Sequence, residues 1–251
     1  MSLSVILDGT ELNDPNSRFG YLEVDDIDGW FNAPAAKQKQ SARENADGDY
    51  PAPTYYESRF ITISGALAAA AAESRWTWTD YLNGLLNRGK KQLAIRIDGQ
   101  TQWAMVERTA QPEIDVVANR LIEYQIQLKA TDPYKYGAAY SPQNPVGEPM
   151  DVHQYGNTPA WPEATVTGSF PEGYELTLNG QLVQVTRPLA SGKTHTLNMR
   201  TGILRENGTR IYGGIGIAEY LTIKPGAKQN FYAVASSGTG NVKLGYRDTY
   251  I

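Results

Sequence analysis

The chain of 251 residues has no cysteine and only two histidines, His153 and His195. The missing thiols exclude disulfide scaffolds, thiolate zinc sites and cysteine nucleophiles. Two histidines far apart in sequence leave little for a His-rich metal site or a His-dependent triad. Basic residues are not in surplus: 23 Lys and Arg stand against 27 Asp and Glu, a net charge of −4. Phosphate binding needs the opposite balance, so stable nucleic-acid binding is not expected. No apolar run approaches the ~20 residues that span a bilayer, so membrane insertion is not expected either. The opening Met1-Ser-Leu-Ser-Val-Ile-Leu-Asp8 lacks the basic start and apolar core of a signal peptide, which points to synthesis and retention in the cytoplasm or release by a signal-free route.

What is present describes a folded chain. Hydrophobic residues make up 41% and charged residues 20%, enough for real cores and unlike a disordered chain. The 24 Gly, 14 Pro and 16 Tyr lean toward β structure with many turns. The length favours two domains. Composition shifts near residue 140: residues 1–140 hold 14 Lys and Arg against 19 Asp and Glu, whereas 141–251 hold 9 against 8. Six prolines, Pro142, Pro145, Pro149, Pro159, Pro162 and Pro171, cluster just after it. Such spacing forbids a helix and reads as a linker or an irregular lead-in. The expected domains are therefore 1–140 and 141–251, with 141–171 as the proline-rich lead-in.

The first part reads as mixed. Tyr21-Leu-Glu-Val24 suggests a short strand, and Arg59-Phe-Ile-Thr-Ile-Ser64 another. Between them runs a polar stretch, residues 32–53, too long for an ordinary turn and read as a functional loop or a segment disordered in isolation. Residues 66–87 predict the one helix. The run Ala68–Ala72 has the highest helix propensity, and Trp78, Tyr81, Leu82, Leu85 and Leu86 recur at helical spacing. Gly89 is placed to cap it, with Arg88 in the last turn. A hairpin follows, Leu93-Ala-Ile-Arg-Ile97 turning at Asp98-Gly99 into Gln102-Trp-Ala-Met-Val106. Ile122, Tyr124, Ile126 and Leu128 alternate with polar residues, the pattern of a half-buried strand.

The second part has no good helix. Short strands alternate with turn dipeptides such as Asn179-Gly180, Thr201-Gly202 and Asn207-Gly208, which reads as a sandwich or barrel. Catalytic and binding motifs fail on inspection. Gly192-Lys193-Thr194 resembles the end of a P-loop, but Arg187 stands where its first glycine is needed. Asp26-Ile-Asp28-Gly29 resembles part of a calcium loop, but Val24 and Ala35 occupy the first and twelfth positions, where oxygen ligands are required. Gly213-Gly-Ile-Gly216 reads as a flexible loop without a βαβ unit around it. Asn207-Gly208-Thr209 reads as a turn rather than a glycosylation site. His195 shares a strand face with Leu197 and Met199, which reads as a half-buried packing histidine. No cofactor, metal or catalytic residue is assigned, and no enzyme is expected. Aromatics near the long loop, Trp30, Phe31, Tyr50, Tyr55 and Tyr56, and Trp161 among the prolines, suit an interface or a sugar as well as they suit covered sheet edges.

Taken in order, these features resemble a known family. Strand, long loop, Arg59-Phe-Ile-Thr-Ile-Ser-Gly65, helix, hairpin, strand and the closing Lys129-Ala-Thr-Asp-Pro-Tyr-Lys-Tyr136 are similar to the N-terminal domain of the distal tail (Dit) proteins of long, flexible-tailed phages. Ser191-Gly192, Asn198-Met-Arg-Thr-Gly202, Ile223-Lys-Pro-Gly226, Asn230-Phe and Tyr246-Arg-Asp-Thr-Tyr-Ile251 resemble the galectin-like sandwich that ends many of them. The resemblance implies a mainly β chain with one helix, an N-terminal β-barrel-like, α+β ring domain and a C-terminal galectin-like antiparallel β-sandwich. It implies a structural virion protein at the phage tail tip. Six copies would form a ring at the end of the tail tube, a baseplate hub meeting the tail-tube protein, the tail-associated hub protein and receptor-binding or other baseplate proteins. Interface residues under this reading are Trp30, Phe31, Tyr50, Tyr55 and Tyr56 with Asp132, Pro133 and Tyr134, and the 32–53 loop is the candidate arm onto the next copy. The alternative is a carbohydrate-binding module that recognises host cell-surface glycans through the C-terminal sandwich, with Trp161 as the contact. A galectin-type constellation is not complete, because His195 and Asn198 have opposite parity on one strand and face opposite sides.

Overall fold

The computed structural model describes residues 3–37, 43, 47, 50 and 53–251. The chain forms two compact units, Met1–Lys135 with Ile251, and Tyr136–Tyr250.

In the first unit the strands are β1 (Leu3–Leu7), β2 (Thr10–Glu11), β3 (Gly20–Asp28), β4 (Ala36–Lys37), β5 (Tyr55–Tyr56) and β6 (Arg59–Ala69). Helix α1 (Ala72–Leu85) follows, then β7 (Lys91–Ile97), β8 (Gln100–Arg108), β9 (Glu113–Ala118) and β10 (Leu121–Ala130). Strand β6 is central. It pairs antiparallel with β3 on one side and β10 on the other. The far side of β10 takes β9 along one half and β8 at the other end. The sheet then continues through β8–β7, β7–β1 and β1–β2. Asp98 and Gly99 both take positive φ at the β7–β8 turn, the geometry that matches the twist of a two-residue hairpin.

The alternation read from β10 holds: Ile122, Tyr124, Ile126 and Leu128 are buried and point into one core with Ile61, Ile63, Leu67, Trp78 and Leu82. Each such side chain contributes roughly 1.5–3 kcal/mol by leaving water. Tyr124 lies opposite Gly65 and its hydroxyl donates to the carbonyl oxygens of Leu12 (3.3 Å) and Glu23 (3.4 Å). A Cβ at Gly65 would sit 2.2 Å from the Glu23 oxygen, so only glycine admits the ring.

Two expectations for the helix are corrected. It does not begin at residue 66: β6 runs on to Ala69, because Ala66 and Ala68 are zipped on both sides, to Glu23 and Tyr21 of β3 and to Glu123 and Leu121 of β10, and Ala69 pairs with Gly20 of β3. Alanine has no side chain to argue with two neighbouring strands, and pairing overrides its propensity. Gly89 does not cap α1 and Arg88 is not in its last turn. The helix ends at Leu85 with Leu86 as C-cap, and its last turn holds no basic residue. The expected apolar face is present, with Trp78, Leu82 and Leu86 buried and Tyr81 and Leu85 packed against the core.

The second unit is an antiparallel sandwich. Its strands are β11 (Lys135–Tyr140), β12 (Gln143–Pro145), β13 (Met150–Val152), β14 (Glu163–Ser169), β15 (Tyr174–Leu178), β16 (Gln181–Val185), β17 (Thr194–Asn198), β18 (Ile203–Glu206), β19 (Thr209–Arg210), β20 (Ile215–Ala218), β21 (Gln229–Val234) and β22 (Thr239–Tyr250). One sheet runs β19-β18-β17-β14-β22, with β12 also on β22; the other runs β13-β21-β15-β16-β20. Phe170, Leu176, Val183, Leu197, Phe231 and Leu244 fill the space between them. The prolines of 141–171 do not make a linker. The stretch supplies β12, β13 and all of β14, and its prolines fall at strand ends or between strands, where the missing N–H is not needed. Residues 213–216 are also not simply a loop, since Ile215 and Gly216 open β20 and Ile215 pairs with Val185.

Candidate functional site

Arg59 organises the region where the sequence-derived interface residues meet. It opens β6, is 2% exposed, and reaches three stretches of backbone. Its Nη1 donates to the carbonyl oxygens of Gly29 (2.8 Å), Trp30 (3.1 Å) and Asn32, and its Nε to that of Pro133 (3.2 Å). One guanidinium thus fixes the turn after β3, the root of the 32–53 segment and the Asp132-Pro133-Tyr134 signature. Its fork of fixed donors suits several carbonyls at once, as a lysine would not. Gly29 makes the turn possible. It takes φ +77°, and a Cβ there would lie 1.9 Å from the Phe60 oxygen.

Lys135 is the second buried cation. Its Nζ donates to the Trp30 oxygen (3.0 Å) and sits 5.5 Å over the Trp30 ring. Burial first, and the Arg59 charge second, lower its pKa to about 8. Burial also lowers that of Arg59.

The structure separates the predicted interface residues into two kinds. Trp30 is a correction to the picture of a loop aromatic: it is 1% exposed and packs in the core under the Lys135 ammonium, so it is not an exposed anchor like its neighbour Phe31. Phe31, Tyr55 and Tyr56 are exposed. Tyr55 and Tyr56 form β5, which pairs with Ala36 and Lys37 of β4, so the root of the long segment is a two-stranded ribbon. Tyr134 is half-buried and meets Tyr56 edge-on, with ring centroids 6.5 Å apart. Asp132 accepts the Tyr134 N–H (3.4 Å), closing a tight turn. Tyr50 is exposed, with the Arg43 guanidinium 5.7 Å from its ring. Of the candidate arm, residues 38–42, 44–46, 48–49 and 51–52 lie outside the described residues. Sequence reasoning missed Arg59, Lys135 and exposed Phe60. The one available signal for Arg59 was a charge at a position that the strand alternation assigns to the core.

The outer face of the β9-β10-β6-β3 sheet is acidic. Asp28 lies beside Thr62, Asp26 beside Ser64, and Glu23 beside Ala66. Across the sheet Gln125 faces Glu113, and Glu123 faces Asp115. All six carboxylates are exposed. Glu123 and Asp115 face each other directly, and like charges so placed weaken a sheet rather than stabilise it.

In the second unit, Trp161 packs on the sandwich core and the Arg200 guanidinium lies 5.2 Å over its ring. Arg200 also donates to the Tyr136 hydroxyl (2.8 Å). With Tyr140, Glu163 and Tyr246 these residues line a cleft of about 340 Å³. A sugar stacking on Trp161 would have to displace Arg200. His195 is fully buried, not half-buried, and projects to the opposite side from Asn198, so no galectin-type trio forms. Its Nδ1 lies 3.3 Å from the Tyr174 hydroxyl and its Nε2 3.7 Å from Glu206, which also binds Lys193 (2.7 Å). Burial lowers the His195 pKa, against the opposing pull of Glu206. His153 meets the Tyr155 ring edge-on. Among the described residues no group of three or more His, Asp or Glu could hold a metal, and no helix is long and apolar enough to cross a membrane.

No family model matches the chain, and no curated protein matches its sequence. Solved structures do. The chain is similar to the Dit protein (gp 19.1) of SPP1, described as a paradigm of the hub adsorption apparatus in phages that infect Gram-positive bacteria. The TM-score is 0.74 at 14% identity, over 100% of both chains. It is also similar to a chain of the phage P2 baseplate in its activated conformation, with a TM-score of 0.50 at 9% identity over 98% of each. From end to end, therefore, the chain has the fold of a phage distal tail protein, mainly β with one helix, as the resemblance in its sequence implied.

Proposed function

We propose that this protein is a structural subunit of a phage tail tip, and that six copies close into a ring at the distal end of the tail tube. The ring is a baseplate hub. It joins the tail-tube protein, the tail-associated hub protein and the receptor-binding apparatus, and it catalyses nothing. The observation that carries this reading is the end-to-end likeness to the SPP1 hub protein.

Three features support it. First, β3 pairs only with β6 and β9 only with β10 among the described strands, so the sheet is open at both of these strands. An open edge is a template for another strand. Joining β9 of one copy to β3 of the next is a head-to-tail contact that closes by rotation. Second, the exposed Phe31, Tyr55 and Tyr56 surround the ribbon that roots the 32–53 arm, and rigid aromatics anchor interfaces. Third, the acidic sheet face suits the wall of a channel that DNA must pass without sticking.

Light scattering after size exclusion, with negative-stain images of the peak, tests the assembly. The expected result is a particle near six times the 27.7 kDa chain mass with a central hole. A monomer at all concentrations, with no ring in the images, contradicts it. Deleting residues 36–48 is expected to weaken the ring; an unchanged ring would remove the arm from the account. The second reading is glycan recognition by the sandwich through the Trp161 cleft, where Glu163 is a polar partner and Arg200 would swing off the ring. A glycan screen with the full chain decides it, and binding that Trp161→Ala abolishes would support it.

A further inference from the structure

Arg59 and Lys135 are adjacent buried cations, 2% and 6% exposed, and neither belongs to any ion pair among the described residues. Carbonyl oxygens take part of their hydrogen-bonding capacity. Arg59 Nη2 has no partner at all, and Lys135 uses one of its three ammonium hydrogens, on Trp30. Burying a charge without a counter-charge is costly, and two together cost more. A methionine at 135 would seal the wall over Trp30 without that cost, so packing alone does not account for the ammonium.

Lys135 also lines a cleft of about 500 Å³ with Trp30, Phe31, Ile95, Ile97 and Gln102. Its remaining lining residues are Gln100 and Asp98, on or beside the β7–β8 hairpin turn. The walls are aliphatic and aromatic, the side is carboxamide, and the charges are the buried Lys135 ammonium and, at the exposed hairpin turn, the Asp98 carboxylate. This combination suits an anion borne on an apolar stem better than a fully hydrated one such as phosphate, which needs many donors.

We propose that this cleft is a carboxylate-binding site, with the Lys135 ammonium receiving the carboxylate and Ile95, Ile97, Trp30 and Phe31 covering its stem. Two sources carry this chemistry: a free short-chain carboxylic acid, or an acidic side chain of another copy of the chain. The second source rests on the ring reading; the first does not.

The test uses the full chain and butyrate as the probe, followed by thermal melting and by the side-chain 15N resonance of Lys135, assigned through its loss in Lys135→Arg. Sulfate at matched ionic strength and n-butanol are the controls. Butyrate is expected to raise the melting temperature by a few degrees and to move the Lys135 resonance, both saturably, with no melting response in Lys135→Met. Should Lys135→Met fail to fold, the wild-type resonance still decides. Light scattering separates the sources. Butyrate that lowers the assembled mass marks a side chain of another copy as the natural occupant; binding at unchanged mass marks a free acid. A chain that is monomeric throughout yet binds butyrate would contradict the ring and keep the site. No saturable response, an equal response to sulfate or butanol, or an undiminished response in Lys135→Met overturns the proposal.

Discussion

At the residue scale, the first unit depends on cations that do structural work without carboxylates. Arg59→Met removes hydrogen bonds to the Gly29, Trp30, Asn32 and Pro133 carbonyls at one stroke. Leaving buried carbonyls unsatisfied costs about 1–3 kcal/mol each where water cannot reach, offset by the relieved burial of the charge, so a net loss of about 3 kcal/mol is expected in urea unfolding. Arg59→Lys should not rescue it, because an ammonium cannot span the same carbonyls. Lys135 gives a signed pH dependence. Its folded pKa of about 8 lies below the ordinary 10.5, so the unfolded chain binds the proton more tightly. Stability therefore rises as pH climbs from 8 toward 10.5, by at most about 3 kcal/mol, and the penalty is complete below 8. The difference in stability between wild type and Lys135→Met across that range isolates the effect. His195 acts in the same sense in the second unit. Its depressed pKa means stability is lost as pH falls below the ordinary value of 6.5. Unfolding at pH 7 and pH 5 should show a drop that His195→Gln reduces.

At the scale of elements, legibility followed side-chain information. Strand β10 was readable because large apolar and polar residues alternate along it, and a slip by one would expose the whole set. The turns Asp98-Gly99, Asn179-Gly180 and Asn207-Gly208 were readable because few residues accept positive φ, and all six do so here. The alanine run was not readable. Alanine fits a strand face and a helix face equally, and what decides between them is the two flanking strands, which lie tens of residues away in sequence. Trp30 misled for a related reason. Its neighbours in sequence are loop residues, but Lys135, 105 positions on, closes over it. The proline-rich stretch looked like a linker because prolines disfavour central strands, and they were compatible with a sandwich only because they sit where strands begin and end. Gly29 offers an element-scale check. Gly29→Ala must push a Cβ into the Phe60 oxygen and hold a positive φ, so it should destabilise the first unit by about 1–3 kcal/mol and loosen the ribbon root, seen as faster amide exchange at residues 30–37.

At the scale of the whole molecule, the proposed ring rests on what one copy leaves unfinished. Among the described strands the first unit leaves one edge of β3 and one edge of β9 unpaired and lays six carboxylates on one face. Such a sheet is a liability in a monomer and an asset in a closed ring. The lack of cysteine provides the most direct test. Glu23 on β3 and Asp115 on β9 share one row of the sheet, with β6 and β10 between them. Three strand spacings put them about 14 Å apart within one copy, twice the reach of a disulfide, so a Glu23→Cys, Asp115→Cys chain can be joined only between copies. A small panel with the second cysteine at Glu113 or Val117 allows for other registers. The measurement is the oxidised chain on a denaturing, non-reducing gel. A closed ring of six gives a ladder that ends at six chains; single-chain bands for every pairing would rule the ring out.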